Sequence, residues 1–393
     1  MILKNNNIDI PIIMFHSVGN TTSSWQKKWL SVSIIHFEEF CKYLVNKKYD
    51  TLFLDEWYYF QNKAAKIRNK NIVITFDDGY LDNWVYALPI LKKYGLKATL
   101  FINPEFIDPT AEKRPTLEDV WNGKISIGEL NTLGYLNWQE IRRMNNSGWV
   151  DIQSHTMSHN YYFYTDTLID YYAGQNEYHW LAWIERPDRK ARWITENQSN
   201  LIPSGYPIFE YDRSLKLRRF IPSKHFIDSF IEKYNKLIYN NNDDIKEQLF
   251  AFTTDYRNKY TNMGRYESDE ERNERYRYEI YESKRLLENN LNKKVEFLCW
   301  PGGAYNDVSI QMSNDAGYKA STLASWDKRD MNRNNHSYKR MRRFGISSFI
   351  KVDRKYKYNN NTKHLIHNYL SKQGNSYYKN LARLKKIFLL LTN

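Results

Sequence analysis

The first 160 residues alternate short apolar segments with amphipathic stretches, and this alternation constrains the fold more than any other feature of the sequence. The apolar segments have the length of buried strands and lie at 12–15, 51–54, 72–76, 98–102 and 150–153. Helical periodicity occurs at 37–46 and 84–94, and "LNWQEIRRMNNSGW" predicts a further short helix. Strands and helices in this order predict a parallel α/β architecture, either a barrel or a doubly wound sheet.

The alternation is interrupted from about residue 161 to residue 266, which predicts an insertion or cap. After it, "ESDEERNERYRYEIYESKRLLENNLNKK" predicts a long charged helix. Further strands are expected in "VEFLCWPGG", "GYKASTLA" and "RRFGIS". The α/β unit is therefore predicted to be built from two parts of the chain that flank the insertion.

Positive charge is concentrated near the C-terminal end of the sequence. The net charge is +13, and residues 319–393 contain 18 Lys and Arg against 3 Asp, so the preceding residues are close to neutral. A basic tail attracts nucleic acid, anionic lipid or a phosphorylated substrate, or it is only a solvated surface. No recognisable nucleic-acid motif accompanies it, so nucleic acid is not an expected partner.

Composition and cysteine content indicate an intracellular protein. The sequence has no secretory signal and no run of the 18 apolar residues that a membrane span needs. Cys41 and Cys299 are too few for a disulfide framework and suit a reducing compartment. We therefore expect a cytoplasmic protein. The basic amphipathic stretch "YYKNLARLKKIFLLLTN" either docks on the protein itself or lies on the inner face of the membrane.

Two histidines and a carboxylate form a candidate metal site. His155 and His159 are four residues apart in "SHTMSH", so on a helical turn their imidazoles would share one face. They follow a predicted strand, and Asp78 follows another, at the ends of strands where α/β enzymes gather their chemistry. Two imidazoles and a carboxylate with open positions suit a catalytic metal ion.

The acid pair Asp77–Asp78 ends an apolar strand in "ITFDDG". Successive strand residues point to opposite faces, so one carboxylate can bind the metal while the other acts as a general base towards water. The alternative is a simple strand-to-turn transition, where Asp and Gly are common.

Three motifs in this order, "TFDDGY", "SHTMSH" and "CWPGGAYN", resemble those of the polysaccharide deacetylase family, the NodB-homology domain. The resemblance covers about residues 10–160 and 275–347. It implies a deformed (β/α) barrel with a large inserted cap and a C-terminal helical tail. The expected division is 1–160 and 267–350 for the two parts of the barrel, 161–266 for the cap and 351–393 for the basic helical extension.

The family also implies a reaction and its residues. The expected activity is metal-dependent hydrolysis of an acetyl group, most often N-acetyl, from an amino sugar in a polysaccharide or its lipid- or nucleotide-linked precursor. Asp77 would be the general base, and Asp78, His155 and His159 would hold one divalent ion, usually Zn²⁺. The backbone N–H near Gly302 would bind the oxyanion. The expected substrate-lining residues are His16, Tyr80, Trp300, Pro301 and Tyr305.

The sequence departs from the family in two places. Many members have an arginine that orients the base at the start of the third motif, where this chain has Cys299; Arg340, Arg342 or Arg343 are candidates to replace it. The late motif that supplies the general acid has no secure match, and His336 and His367 are both candidates. Cys299 itself is expected to be a buried, inert thiol.

Two further points remain open from the sequence. The insertion's aromatic residues, including Trp180, Trp183 and Trp193, either stack on sugar rings or form the core of the cap. The chain is either an active deacetylase or a catalytically silent carbohydrate-binding protein on the same fold. The intact residues Asp77 and Asp78 and both histidines favour the enzyme, whereas Cys299 and the absent late motif leave the second interpretation open.

Overall fold

The computed structural model describes residues 10–22, 25, 27–63, 70–260, 262–324, 339–353 and 355–391. Its strands are β1 Ile12–Phe15, β2 Ser17–Val18, β3 Ser31–Val32, β4 Tyr49–Leu52, β5 Lys70–Phe76, β6 Ala98–Ile102, β7 Val150–Ser154, β8 Tyr161–Tyr172, β9 Tyr206–Arg213, β10 Phe220–Pro222, β11 Gly264–Tyr266, β12 Phe297–Leu298, β13 Ala320–Leu323, β14 Arg340–Gly345, β15 Phe349–Val352 and β16 Lys355–Tyr358. Its helices are α1 Ile34–Asn46, α2 Leu54–Lys63, α3 Leu88–Tyr94, α4 Leu117–Trp121, α5 Trp138–Asn146, α6 Trp180–Glu185, α7 Lys224–Tyr239, α8 Ile245–Tyr260, α9 Asp269–Arg277, α10 Ser283–Leu291, α11 Asp307–Asp315, α12 His364–Lys372 and α13 Ser376–Leu391.

Seven parallel strands close into a barrel. They follow one another in the order β1, β14, β13, β12, β7, β6 and β5, and β5 pairs with β1 to complete the ring. The fourth strand, β4, pairs in parallel with the first half of β5. The predicted (β/α) barrel is confirmed, and the doubly wound sheet is excluded because the sheet has no open edge between β1 and β5.

Strand alternation divides the apolar residues of the barrel between its interior and its outer layer. Val73, Phe101 and Met341 come from three different strands, Cys299 directly follows β12, and the four side chains pack together, each with 0% exposure. Because side chains two residues apart share a strand face, positions 75 and 77 of β5 and position 343 of β14 also face the interior. The interior therefore changes from apolar to polar towards the C-terminal ends of the strands.

The helices cover the outer face of the barrel and form the main core. Ile74, Phe76 and Leu100 from the strands pack there against Phe37 and other residues of α1. Helix α1 begins at Ile34, three residues before its predicted start, because the Ser33 side chain caps it by accepting a hydrogen bond from the backbone N–H of His36 at 3.2 Å. The predicted long charged helix is present as α9 and α10, joined by one π-helical turn at Tyr278–Glu282.

The inserted segment (residues 161–266) adds no strand to the barrel. Its long strands β8 and β9 pair with each other in antiparallel fashion, and β10 pairs with β11. The segment has its own apolar core, in which Trp180 and Trp183 are 1% and 3% exposed. These two tryptophans therefore serve the packing of the segment, which was one of the two expected roles.

The C-terminal extension does not begin as a helix, contrary to the prediction. Strands β15 and β16 form an antiparallel hairpin, and helices α12 and α13 follow it. Helix α13 has no buried residue. Within the described residues, no helix combines the length and the apolar character needed to cross a lipid bilayer.

Candidate active site

The acid pair lies at the C-terminal end of β5. Asp77 is 3% exposed and faces the barrel interior, in line with the alternation of the strand. Asp78 has a φ angle of 74°, so the backbone leaves the strand direction at this residue. The turn directs the two carboxylates to different neighbours, which is the separation that the two proposed roles require.

Arg343 holds the carboxylate of Asp77. Its two terminal nitrogens donate hydrogen bonds of 2.7 and 2.8 Å to the two carboxylate oxygens, and the side chains are 7% and 4% exposed. Burial by itself raises the pKa of Asp77, but the charge and the hydrogen bonds of Arg343 outweigh it and lower that pKa below its usual value. Asp77 is therefore ionised and fixed in orientation.

Among the three arginines considered as substitutes for the one that the third motif lacks, Arg343 is the one that contacts Asp77. The Sγ atom of Cys299 lies 2.8 Å from Arg343 and 3.5 Å from a carboxylate oxygen of Asp77, so the three side chains meet in the interior. Of the other two arginines considered, Arg340 donates to Ser321 at 2.8 Å. Arg342 is exposed. The sequence could not distinguish the three, because only the strand register decides which one faces inward.

The histidine loop (residues 155–160) follows β7 and is irregular, so the expected helical turn is wrong. Thr156 and His159 have φ angles of 62° and 55°, in the left-handed region, and no helix forms there. The two imidazole rings nevertheless meet, with their centroids 5.2 Å apart. A sequence spacing of four thus brings the rings together through two left-handed residues and not through helix geometry.

Asp78, His155 and His159 converge on one point. Oδ1 of Asp78 lies 3.2 Å from Nε2 of His155 and 3.5 Å from Nε2 of His159. This oxygen is buried and has no well-aligned hydrogen bond. Nδ1 of His155 is 2.8 Å from the carbonyl oxygen of Cys299, which can only accept, so in the neutral ring Nε2 is left as a lone-pair donor. These atoms fit a divalent cation, and two imidazoles with one carboxylate suit zinc.

The ionised form of Asp78 and the neutral form of His159 suit metal ligands, whereas the positive charge of the adjacent Arg213 opposes a cation. Burial raises the pKa of Asp78, but the nearby imidazoles of His155, His159 and His16 lower it well below its usual value. The pKa of His159 is well below normal because of its burial and the adjacent Arg213. Arg213 belongs to the inserted segment and approaches Nδ1 of His159 at 2.5 Å.

Two buried charged residues support the histidine loop, and the sequence analysis missed both. Glu279 accepts hydrogen bonds from the backbone N–H groups of Met157 and Ser158 at 3.1 and 2.9 Å. Lys190, from the inserted segment, donates to the carbonyl oxygen of Ser158 and to the side chain of Asn160, both at 2.6 Å. Neither residue has a sequence signal, because each lies in a stretch rich in surface charges.

The glycine turn after β12 lies beside the same site. Gly302 has a φ angle of 58°, and a side-chain Cβ there would come within 2.8 Å of Nε of Arg213. The hydrogen bonds within this turn run from the N–H groups of Gly303 and Ala304 and do not use that of Gly302. Trp300, Pro301 and Tyr305 are buried, and Trp300 and Tyr305, each 1% exposed, pack in the main core. Their substrate-lining role stays a prediction.

Two of the remaining predicted site residues, His16 and Tyr80, lie near the acid pair. His16 lies close enough to contribute to the lowered pKa values of both Asp77 and Asp78. The phenol of Tyr80 is buried, and its burial and the charge of the nearby Asp78 raise its pKa well above the usual value. His367 lies on α12 with its ring 5.0 Å from that of Tyr378 on α13, whereas His336 lies outside the described residues.

The fold and the site together define a family. The model of the polysaccharide deacetylase family matches residues 64–205 and 225–321 of this chain. These ranges include the acid pair, the histidine loop and the glycine turn. The chain belongs to the polysaccharide deacetylase family.

Individual relatives resemble only part of the chain. The Bacillus subtilis protein YxkH, named as a candidate polysaccharide deacetylase, is 34% identical over 150 residues, which cover 38% of this chain and 43% of YxkH. The poly-beta-1,6-N-acetyl-D-glucosamine N-deacetylase of Staphylococcus aureus is 29% identical over 137 residues, covering 34% of this chain and 40% of that enzyme. Both matches span less than half of the relative.

A solved structure confirms the fold. The de-N-acetylase from Aggregatibacter actinomycetemcomitans superposes with a TM-score of 0.50 at 16% identity. The superposition covers 88% of this chain and 97% of that one. At this level of identity the similarity applies to the architecture alone.

Proposed function

We propose that this chain hydrolyses the N-acetyl group of an amino sugar in a polysaccharide or in its lipid- or nucleotide-linked precursor. The main support for the proposal is that the two carboxylates of the acid pair have different neighbours. Asp77 is held by Arg343 at 2.7 and 2.8 Å, while Asp78 faces two imidazoles at 3.2 and 3.5 Å. A binding protein without catalysis has no need for a buried carboxylate that is kept ionised beside a cation site.

Each residue has a distinct role in the proposed reaction. Asp78, His155 and His159 would hold a divalent ion, with zinc as the best match to the donor set. When bound, this ion supplies a Lewis acid that activates water and polarises the acetyl carbonyl. Asp77 takes the proton of the attacking water, and the N–H of Gly302 donates to the oxyanion of the substrate. The C–N bond then breaks, acetate leaves, and the amine takes up a proton.

The departing amine needs a proton donor. His336 was the sequence candidate and lies outside the described residues. His16 contributes to the lowered pKa values of both acids and is retained as a site-lining residue. We propose that the inserted segment covers this end of the barrel as a cap, because Arg213 and Lys190 reach the histidine loop from it.

Acetate release from acetylated amino-sugar oligomers and from lipid- and nucleotide-linked sugars, with and without a chelator, tests the proposal. Asp77→Asn is expected to abolish release while leaving bound metal unchanged, because Asp77 is not a proposed ligand. His159→Ala is expected to lose metal, measured by elemental analysis, and activity together. Release that persists in both variants would show that the assigned site is wrong. Binding of sugar without any release would instead support the silent carbohydrate-binding protein.

We also propose that helix α13 contacts an anionic membrane surface. Its apolar residues Leu384, Ile387 and Phe388 are 64%, 52% and 64% exposed. The helix contains Lys379, Arg383, Lys385 and Lys386 and no acidic residue. Exposed apolar and basic side chains on one helix match the headgroup region of an anionic bilayer.

Vesicle co-sedimentation tests the membrane proposal. The full chain is expected to sediment with vesicles that contain phosphatidylglycerol and to remain free with phosphatidylcholine alone. A chain truncated before Tyr377 should lose this binding but keep acetate release. Equal sedimentation of both chains would refute the role of α13.

A further inference from the structure

Two cationic side chains beside the candidate active site have no acidic partner. Lys27 lies in the loop between β2 and β3, and Arg213 is the last residue of β9. Among the residues that the structure describes, neither has a carboxylate oxygen within salt-bridge distance. Both are partly buried, and a charge that is partly withdrawn from water without a counter-charge is costly.

Three cations that are more deeply buried in the described part of the chain are each paired with a carboxylate. Lys190 is fully buried and contacts Glu105 at 2.6 Å. Arg343 is paired with Asp77 at 2.7 Å, and Arg275 is paired with Glu267. These three cations have carboxylate partners, whereas no carboxylate of the described residues pairs with Lys27 or Arg213.

The contacts of Lys27 keep its ammonium group in place. Its Nζ is 3.1 Å from Nε2 of His179 and lies 5.1 Å from the ring of Trp193 and 5.7 Å from that of Trp183. Nδ1 of His179 is 2.7 Å from the carbonyl oxygen of Asn176, so Nδ1 carries the proton and Nε2 accepts from Lys27. Burial and the charge of Arg213 lower the pKa of Lys27 to about 8.

Both cations are near the catalytic residues. Arg213 contacts His159, and the ring of Trp183 connects His159 with Lys27, at 6.5 Å from the imidazole and 5.7 Å from the ammonium. The charge of Asp78 raises the pKa of both cations, against the larger effect of burial, which lowers it. A group bound between them would therefore belong to the molecule that is being deacetylated.

A cavity is lined by two of the residues that contact Lys27, His179 and Trp193. It has a volume of about 410 Å³ and is lined by Trp25, His179 and Trp193 among others. This volume is in the range of small-molecule sites, and its aromatic lining suits the apolar faces of a sugar ring. His179 and Trp193 contact Lys27 on one side and the cavity on the other.

We propose that Lys27 and Arg213 bind an anionic group of the acetylated amino-sugar substrate, a phosphate or a carboxylate, while the adjoining cavity takes a neighbouring part of the same molecule. The proposal rests on the proposed deacetylase function and specifies its substrate class. A phosphate would come from a nucleotide- or lipid-linked sugar, and a carboxylate from an acidic residue of a polymer. Either group supplies the counter-charge that the two cations lack.

The first test compares kcat/KM for acetate release from three probes. These are N-acetylglucosamine 1-phosphate, a disaccharide of N-acetylglucosamine and glucuronate, and the neutral methyl glycoside of N-acetylglucosamine. The wild-type chain is expected to prefer at least one anionic probe by about tenfold or more, and Lys27→Met to reduce this ratio by about tenfold, as for loss of one charge-assisted contact. Lys28→Met, the exposed neighbour, is the matched control and should keep the wild-type ratio.

The second test measures binding without catalysis. Because Lys27 lies over two indole rings, an anion that contacts it should change tryptophan fluorescence. Titration of the chain with N-acetylglucosamine 1-phosphate is expected to saturate, with Kd about tenfold weaker in Lys27→Met and unchanged in Lys28→Met. A preference for the phosphate probe over the glucuronate probe identifies a linked precursor, and the reverse preference identifies an acidic polymer.

The outcomes separate the two proposals. In one outcome, acetate is released equally well from neutral and anionic probes, and Lys27→Met changes neither the ratio of their kcat/KM values nor the fluorescence response to the phosphate probe. The anionic site is then refuted and the deacetylase function stands. If no probe is deacetylated but the anionic probe binds in a Lys27-dependent way, the anion site is supported and the deacetylase function fails. If there is neither release nor binding, both fail.

Discussion

Replacing Arg343 by methionine tests how the base is held. Arg343 makes two charge-assisted hydrogen bonds to Asp77, at 2.7 and 2.8 Å, between side chains that are 7% and 4% exposed. Removing one partner of a buried pair costs about 3–5 kcal/mol of stability, because the other charge is left in a medium of low polarity. The carboxylate avoids part of this cost by taking up a proton.

Loss of Arg343 should also change the pH dependence of catalysis, because it changes the pKa of Asp77. Arg343 lowers the pKa of Asp77 against the effect of burial, so its removal raises that pKa. A base works only when ionised, so the acidic limb of the pH–rate profile should move to higher pH. The rate should fall by about 10²–10⁴-fold at pH values where Asp77 has become protonated.

The assay measures kcat/KM for acetate release from pH 5 to 9, with thermal unfolding as a check of folding. Arg342→Met is the matched control, since Arg342 is exposed on the same strand. Because Cys299 lies 3.5 Å from Asp77, the double variant Arg343→Ala, Cys299→Arg should place a guanidinium at the position that many family members use and recover part of the rate. A folded Arg343→Met chain with the wild-type rate and pH profile would refute this reasoning.

Four further predictions concern stability and metal affinity. Burial raises the pKa of Asp82 to about 7, so the folded chain keeps a proton that the unfolded chain loses as pH rises from about 4 to 7. The free energy of unfolding of Asp82→Asn, measured in urea, should therefore rise by up to about 4 kcal/mol relative to that of the wild type across this pH window. A stability difference between the two chains that does not depend on pH would contradict this prediction. Glu279→Gln should weaken zinc binding by about tenfold or more, since it loosens Ser158 and the histidine loop, and an unchanged Kd in calorimetry would exclude this support role. Arg213→Gln should tighten zinc binding by up to about tenfold by removing a positive charge from His159, which the same titration checks against wild type. Met341→Ala should cost about 2–5 kcal/mol in urea unfolding, because Met341 is 0% exposed in the barrel interior, and a loss below 1 kcal/mol would show that the interior collapses around it.

Much of the barrel could be predicted because its strands are marked by local patterns of apolar residues. The apolar segments at 12–15 and 98–102 coincide with β1 and β6, and their period and length hold without any knowledge of partners. The acid pair and the two histidines were recognisable in the same way, since each motif is contiguous in the chain. The inserted segment was predicted only as an interruption, because its strands β8 and β9 pair with each other across more than 30 residues.

The sequence alone determined the strands of the barrel, the residue types of the site and their order along the chain. Only the tertiary structure decided that Arg343 holds Asp77 and that Glu279 and Lys190 support the histidine loop. It also decided that no carboxylate of the described residues pairs with Lys27 or Arg213. The physical reason is that these contacts join residues far apart in the chain. Strand register and burial select one charged residue among many similar ones, and a single sequence records neither.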